Sequence, residues 1–347
     1  MRKKKWILLA LIPLFLTGCW DKKDPEDRVF IISLGVDDGE AGYVFSFAPA
    51  DIETGEAEVY QAESRTLAGA VAMVDTRTSR KTELGQLKTI ILSDDILRKR
   101  EKLDQLLQEL ERSQTVSEKV MLLATTDTAA DCVNAVLVED GKTGLFLWDF
   151  YKNTAEEVAV TKGMDLDTFL TEQKERNGNG VLPRISVKEE KLELGGGIAV
   201  SVNGVYPLSN AEERGYLFLL GEAEGALLEE RDIPLEIGKT DARYDFSIRD
   251  DRILCQIRLP MEGTLQGGEG MFLSARKQEE IRSLFENKIK EEVLRTLDVA
   301  VRVKKDLFGI LPRLYQQDAI PSEGVRFDAI DFEILPELEL KDMGRKR

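Results

Sequence analysis

The dipeptide Asn203-Gly204 follows the strand-like run Ile198–Val202, and both residue types accept positive φ, so the spacing predicts a two-residue hairpin there. A hairpin makes its two strands antiparallel. This excludes a chain built only of strand–helix–strand crossovers, in which neighbouring strands run parallel. Other strand-like runs surround it: Ile185–Lys188, Leu192–Leu194, Ala226–Ile237, Arg243–Ile248 and Ile253–Leu259. Between two of them, Gly195-Gly196-Gly197 lacks the Lys-Ser/Thr ending of a phosphate loop and opens a strand, so it reads as a bend.

Helical periodicity is interleaved with these strands. Val29–Val36 is β-rich, and Tyr43, Phe45 and Phe47 alternate onto one face of a second strand. Ser64–Arg80 suits a helix with Leu67, Val71 and Val74 inward, and Leu87–Leu92 is a short apolar strand. Ser93 stands where it can cap a helix carrying Leu103, Leu106, Leu107 and Leu110 on one stripe. Val120–Ala124 reads as a buried strand, and Thr128–Val138 and Thr143–Tyr151 as helices. The last carries Phe146, Trp148, Phe150 and Tyr151, which at near-helical spacing suit a core better than a ligand cleft. Ser209 and Glu212 have the spacing of a capping box. The longest helix, Ser274 to about Lys305, places Ile281, Leu284, Phe285, Ile289, Val293, Leu297 and Ala300 on one side, and Ile330, Phe332 and Ile334 alternate in a closing strand. Turn chemistry at Asn177–Gly180 and a linker composition at Glu262–Gly270 mark boundaries. The expected fold is α+β, with three domains over 19–178, 179–266 and 267–347, each a mainly antiparallel or mixed sheet packed with helices.

The first 18 residues have a different purpose. Arg2, Lys3, Lys4 and Lys5 precede the 11-residue apolar run Trp6–Leu16, which at ~1.5 Å per residue is far short of a ~30 Å hydrocarbon core. This is the pattern of a cleaved export signal. Its end, Leu16-Thr17-Gly18-Cys19, resembles a bacterial lipobox, in which cleavage falls between Gly18 and Cys19 and the Cys19 thiol takes a diacylglyceryl group. Two or three acyl chains at Cys19 would hold the chain stably on membrane lipid. Trp20–Pro25 would serve as a short polar tether.

Without the signal, 44 basic residues face 64 acidic ones, a balance of −20. Such a surface is repelled by anionic headgroups except at local basic patches, and it argues against a nucleic-acid partner. The chain has no histidine, which excludes imidazole catalysis, His-based triads and His zinc sites. Among 64 acids no pair stands out by spacing, no catalytic, metal or cofactor-binding residue is assigned, and no cofactor is expected. Cys132 and Cys255, 123 residues apart, read as two buried free thiols in separate units, with a disulfide the alternative that export leaves open.

The order of these features resembles the Ger(x)C lipoproteins, the GerAC-like C subunits of spore nutrient-germinant receptors. The likeness rests on Leu16-Thr17-Gly18-Cys19-Trp20-Asp21, Ile32-Ser33-Leu34-Gly35-Val36-Asp37 and Leu87-Lys88-Thr89-Ile90-Ile91-Leu92-Ser93. It extends to Gly197-Ile198-Ala199-Val200, the helix within Leu208–Leu220, and Lys305-Asp306-Leu307-Phe308-Gly309. Two positions depart from the family pattern: Gly85-Gln86, where Gly-His is usual, and Ser201, where an aromatic is usual. The resemblance implies three α+β domains, no enzymatic activity, and partnership with the two integral-membrane subunits, of A and B types, of one receptor at the inner spore membrane. Expected contact surfaces are the exposed sides of the long helix and of the first sheet. Two other classes stay open: a substrate-binding lipoprotein of an uptake system, with two parallel-sheet lobes around a cleft, and an exported carboxylate-dependent hydrolase.

Overall fold

The computed structural model describes residues 27–50, 59–135, 143–153, 161–250, 252–266, 274–316 and 324–341. The export signal, Gly18, Cys19, the tether, residues 267–270 of the expected linker and the basic tail lie outside the described residues.

The first sheet is formed by β1 (Arg28–Asp38), β2 (Tyr43–Pro49), β3 (Tyr60–Ser64), β4 (Lys81–Glu83), β5 (Thr89–Ser93), β6 (Met121–Thr125), β7 (Gly180–Lys188), β8 (Lys191–Ser201) and β9 (Gly204–Leu208). Their order is β3-β2-β1-β5-β6-β7-β8-β9, with β4 beside the first three residues of β1. β1, β5, β6 and β7 run parallel, and the hairpins at both ends run antiparallel. The helices between are α1 (Leu67–Asp75), α2 (Asp94–Arg98), α3 (Arg100–Arg112), α4 (Ala129–Asn134), α5 (Thr143–Asn153) and α6 (Leu166–Glu175).

Strand alternation divides the cores. Ile90, Leu92, Leu122, Ala124, Leu182, Ile198 and Val200 turn to one face, where α1, α2, α3 and α6 bring Leu67, Ile96, Leu103, Leu106 and Phe169. Ile91, Leu123 and Ile185 turn to the other, under Cys132 and Val133 of α4 and Leu147 and Tyr151 of α5. Phe146, Phe150 and Tyr151 of α5 therefore serve packing, as expected, whereas Trp148 lies outside that core, under the Lys88 ammonium at 5.3 Å. Farther along that second face, Val181 and Ala199 meet a third core instead.

That core belongs to the second sheet: β10 (Leu227–Glu230), β11 (Ile233–Thr240), β12 (Arg243–Arg249), β13 (Arg252–Leu265) and β14 (Ile330–Lys341). β13 is central. One edge pairs first with β12 and then with β11, and the other pairs in parallel with β14 from Ile253 to Thr264. Across it lies α8 (Ala275–Val303), whose 29 residues span ~43 Å and whose Ile281, Phe285, Ile289, Val293, Leu297 and Ala300 are buried against Leu235, Ile257, Ile334 and Leu338. α7 (Asn210–Leu220) packs between the sheets, and α9 (Ile310–Tyr315) follows α8. The observed class is α+β with mixed sheets.

The stretch 179–266 supplies both sheets: β7, β8 and β9 continue the first, joined to β6 through Ala124↔Arg184 and Thr125↔Ile185, and β10–β13 build the second. Several local readings change. Glu262–Leu265, read as linker, is strand, because Gly263 and Thr264 find backbone partners on both β11 and β14. The helix read over Ser64–Arg80 starts only at Leu67, after the edge strand β3, with Thr66 accepting the Gly69 N–H at its N-cap. Ser93 stands at the N-cap of α2 but makes no side-chain cap, and Lys99 separates α2 from α3. Ala226–Ile237 is two strands joined by Arg231-Asp232, both at positive φ.

The expected hairpin forms, but its turn is Val202-Asn203, since Ser201 pairs with Gly204, and only Gly204 takes positive φ (153°). This register places Val200 opposite Val205, so both enter the first core; a one-residue slip would reverse the faces. Gly195 and Gly196 bend β8, as expected, with φ of 149° and 72°.

Candidate functional site at the seam of the two sheets

Gly18 and Cys19, the sequence-predicted cleavage and lipidation residues, lie outside the described residues. The faces of the first sheet, expected as a contact surface, are covered by helices on both sides. The outer side of α8 is exposed and carries ion pairs Arg276–Glu280, Glu291–Arg295 and Asp298–Arg302. What the sequence did not reveal is that three of the quoted motifs meet in one place, where α7 lies between the sheets.

Ser209 starts α7 with a full capping box: its hydroxyl accepts the Glu212 N–H, and the Glu212 carboxylate accepts the Ser209 N–H at 2.8 Å. Two turns on, a Cβ at Gly215 would lie 2.1 Å from Thr296 Oγ1 and 2.6 Å from the Glu292 carbonyl oxygen, so α7 and α8 touch nearly backbone to backbone. Beside this contact the Arg214 guanidinium grips the buried Glu292 carboxylate at 3.0 and 2.5 Å, and Thr296 donates its hydroxyl to the Glu212 carbonyl at 2.7 Å. A two-point Arg–carboxylate pair fixes both side chains, and Glu292 would be a buried, unpaired charge without it.

On the opposite side of α7, Glu213 is fully buried over the β8 bend. A Cβ at Gly197 would lie 2.2 Å from its Oε2, so this position accepts no side chain. Thr161 donates to Glu213 Oε1 at 3.3 Å, while Oε2 and the nearby Tyr151 hydroxyl lack partners. Burial pushes the Glu213 carboxyl up to about 7, against the pull of a Lys162 backbone hydrogen bond, Thr161 and the more distant Arg184.

The exit of α8 completes the seam. The buried Asp306 carboxylate accepts the backbone N–H groups of Phe308, Ile310 and Leu311 at 3.3, 3.0 and 2.6 Å. Burial raises its pKa, and those three donors oppose the rise. Phe308 packs on Tyr216 with ring centroids 5.3 Å apart. Gly309 takes φ 76°, and a Cβ there would lie 2.8 Å from Arg176 Nε. Arg176, at the end of α6, donates to the Tyr216 hydroxyl at 3.3 Å and to Glu172 Oε1 at 3.2 Å. One guanidinium thus ties the first sheet's helix to α7 and to the α8 exit.

Arg176, Glu213, Tyr216 and Glu292 were not singled out from sequence. A signal existed for Glu292, which falls between Ile289 and Thr296 on the inward side of α8. A charge on an apolar stripe has a partner. Chemically the seam holds packed carboxylates tied to guanidinium, hydroxyl and backbone N–H groups. No group of three or more Cys, Asp or Glu side chains among the described residues is arranged to hold a metal, and no described helix is long and apolar enough to cross a membrane. Cys132 and Cys255 are both free and buried.

At the N-terminal motif, Gly35 lets α4 approach β1, since a Cβ there would lie 2.9 Å from the Ala129 carbonyl. Asp37 accepts the Ala129 and Ala130 N–H groups at 2.7 and 3.0 Å. Ser33 of the same stretch and Thr89 of the next share a hydroxyl–hydroxyl bond of 2.9 Å.

A family profile described as "Spore germination protein N-terminal domain" matches residues 21–187, and one described as "Spore germination B3/ GerAC like, C-terminal" matches residues 196–341. The spore germination protein GerQC of Bacillus cereus is 25% identical over 198 residues, covering 56% of this chain and 54% of that relative. The crystal structure of the GerBC protein has a similar fold, with a TM-score of 0.59 and 14% identity over 88% of this chain and 96% of that one.

Proposed function

The chain belongs to the GerAC-like family of spore germination proteins, and from that membership we propose that it is the lipid-anchored, non-catalytic C subunit of a spore nutrient-germinant receptor. The observation that carries this reading is the order of the chain: a Leu-Thr-Gly-Cys stretch ending at Cys19, then the two family regions from residue 21 to residue 341. Signal cleavage between Gly18 and Cys19 and acylation of Cys19 would hold the folded body at the inner spore membrane, beside the two integral-membrane subunits of A and B types. The seam supports a docking role, since Arg176, Arg214 and Asp306 are each engaged in fixing elements to one another and none is left to act on a substrate. A body locked in this way presents its exposed surfaces in one orientation.

Two measurements test the proposal. Mass spectrometry of the membrane-extracted N-terminal peptide should show a diacylglyceryl addition on Cys19; an unmodified peptide starting elsewhere removes the anchor. Spores lacking the chain should form normally but fail to lose refractility with one nutrient, and the Cys19→Ala chain should rescue poorly, because confinement to a surface raises the effective concentration near membrane partners. A deletion strain that responds to every nutrient but fails to import a solute would replace this reading with an uptake lipoprotein.

A further inference from the structure

Between α1 and α3 the molecule has a groove of about 820 Å³ whose floor is Tyr43, Leu67, Val71 and Leu84. Its rim carries Arg65, Lys81 and Arg112, all exposed and none with a hydrogen-bond or ion-pair partner among the described residues. Of the two carboxylates that line it, Glu83 is paired with Arg28 at 3.0 Å, while Glu109 accepts the Ala68 N–H at 3.2 Å and keeps its charge, leaving three cations against one uncompensated anion. Thr82, buried to 5% exposure, also lines it, and its hydroxyl has no partner. Three uncommitted cations around an apolar floor are unusual on a chain of net charge −16, and their chemistry calls for an amphipathic anion.

Its position indicates which anion. Lys81, Thr82 and Glu83 form β4, hydrogen-bonded beside Arg28, Val29 and Phe30, the first residues of β1. Cys19 precedes Arg28 by nine residues, which fully extended reach ~30 Å. A chain acylated at Cys19 therefore holds this end of the groove close to lipid headgroups. We propose that the groove between α1 and α3 binds the phosphate headgroup of an anionic phospholipid, with Arg65, Lys81 and Arg112 on the phosphate and the glycerol and upper acyl carbons on Leu67, Val71 and Leu84. Proximity to lipid rests on the anchor proposed above; the binding chemistry does not. A headgroup site would set the tilt of the body on the membrane and would act as a second attachment signal beside the acyl chains.

The test uses the mature chain with Cys19→Ala, so that no acyl chain contributes, floated with vesicles of equal phosphatidylglycerol and phosphatidylcholine or of phosphatidylcholine alone. Binding is expected only to the first and should weaken with salt. The triple variant Arg65→Gln, Lys81→Gln, Arg112→Gln should bind roughly a hundredfold more weakly, about 1 kcal/mol per cation. The triple variant Lys191→Gln, Lys239→Gln, Lys290→Gln, equal in charge change and distant in sequence, should bind like the parent. Equal binding by parent and groove variant, or equal loss in both triple variants, overturns the proposal. So does displacement by millimolar inorganic phosphate, which would make this a free-phosphate site. Failure to bind either vesicle, with capture of an acidic peptide instead, would make it a protein-docking groove. A Cys19 peptide found unacylated would refute the anchor while leaving the vesicle result standing.

Discussion

Gly215 of α7 and Thr296 of α8 approach so closely that a single methyl group at position 215 would fall 2.1 Å from the Thr296 hydroxyl oxygen. The helix that joins the two sheets is thereby pinned to the helix that covers the second one. Gly215→Ala should cost about 3 kcal/mol, the upper range for overpacking, read as a lower midpoint in urea unfolding. Adding Thr296→Ala should restore only part, because the Glu292 carbonyl remains 2.6 Å from the added carbon. An unchanged midpoint for Gly215→Ala would refute the contact.

Glu213 gives the fold a signed pH dependence. Its carboxyl is pushed up to about 7, while the unfolded chain holds it near its ordinary 4.5. Between those values the native state keeps a proton that the unfolded state has lost, so this group's contribution falls as pH rises and is constant above about 7. Glu213→Gln, which cannot ionise, should match the parent near pH 4 and exceed it by on the order of 3 kcal/mol at pH 8. Urea midpoints of the two proteins measured from pH 4 to pH 8 supply the check; parallel curves would show that Glu213 does not titrate in this window.

Two hairpins turn on residues ill-suited to their conformation. Glu189 and Glu190 take φ of 50° and 66°, and Arg231 and Asp232 take 52° and 60°. Non-glycine residues there carry ~1 kcal/mol of strain each. Glu190→Gly and Asp232→Gly should each raise stability by about 0.5–1 kcal/mol, net of glycine's greater freedom in the unfolded chain. Glu236→Gly, in the extended backbone of β11, should do the reverse.

The thiols of Cys132 and Cys255 should be silent in the native protein. Burial pushes both up to about 12, so at pH 8 neither offers a thiolate. In the Cys19→Ala chain a thiol-reactive dye should label neither residue until denaturant is added, and then both. Rapid native labelling of either would mean that its core opens.

Where a pattern is local, the residues announced it. The Leu103–Leu110 stripe and the Ser209–Glu212 box are formed as read, and the Ile281–Ala300 stripe is too except that Leu284 is only half-buried, because helix periodicity and capping depend on residues within a few positions of each other. The lipobox-like end at Cys19 is local in the same way and is the main reason to expect an anchor. Tertiary structure alone decided which strands share a sheet. The run Ile185–Lys188 says strand, but only the pairing of β6 with β7 joins it to the first sheet, and only the two faces of β8 show that Ile198 and Ala199 belong to different cores. The seam was unreadable for the same reason. Arg176, Tyr216 and Gly309 are far apart in sequence, and each looks ordinary alone. Their meaning comes from a guanidinium that fits only because residue 309 has no side chain, and steric fit of that kind exists only once the chain has closed on itself.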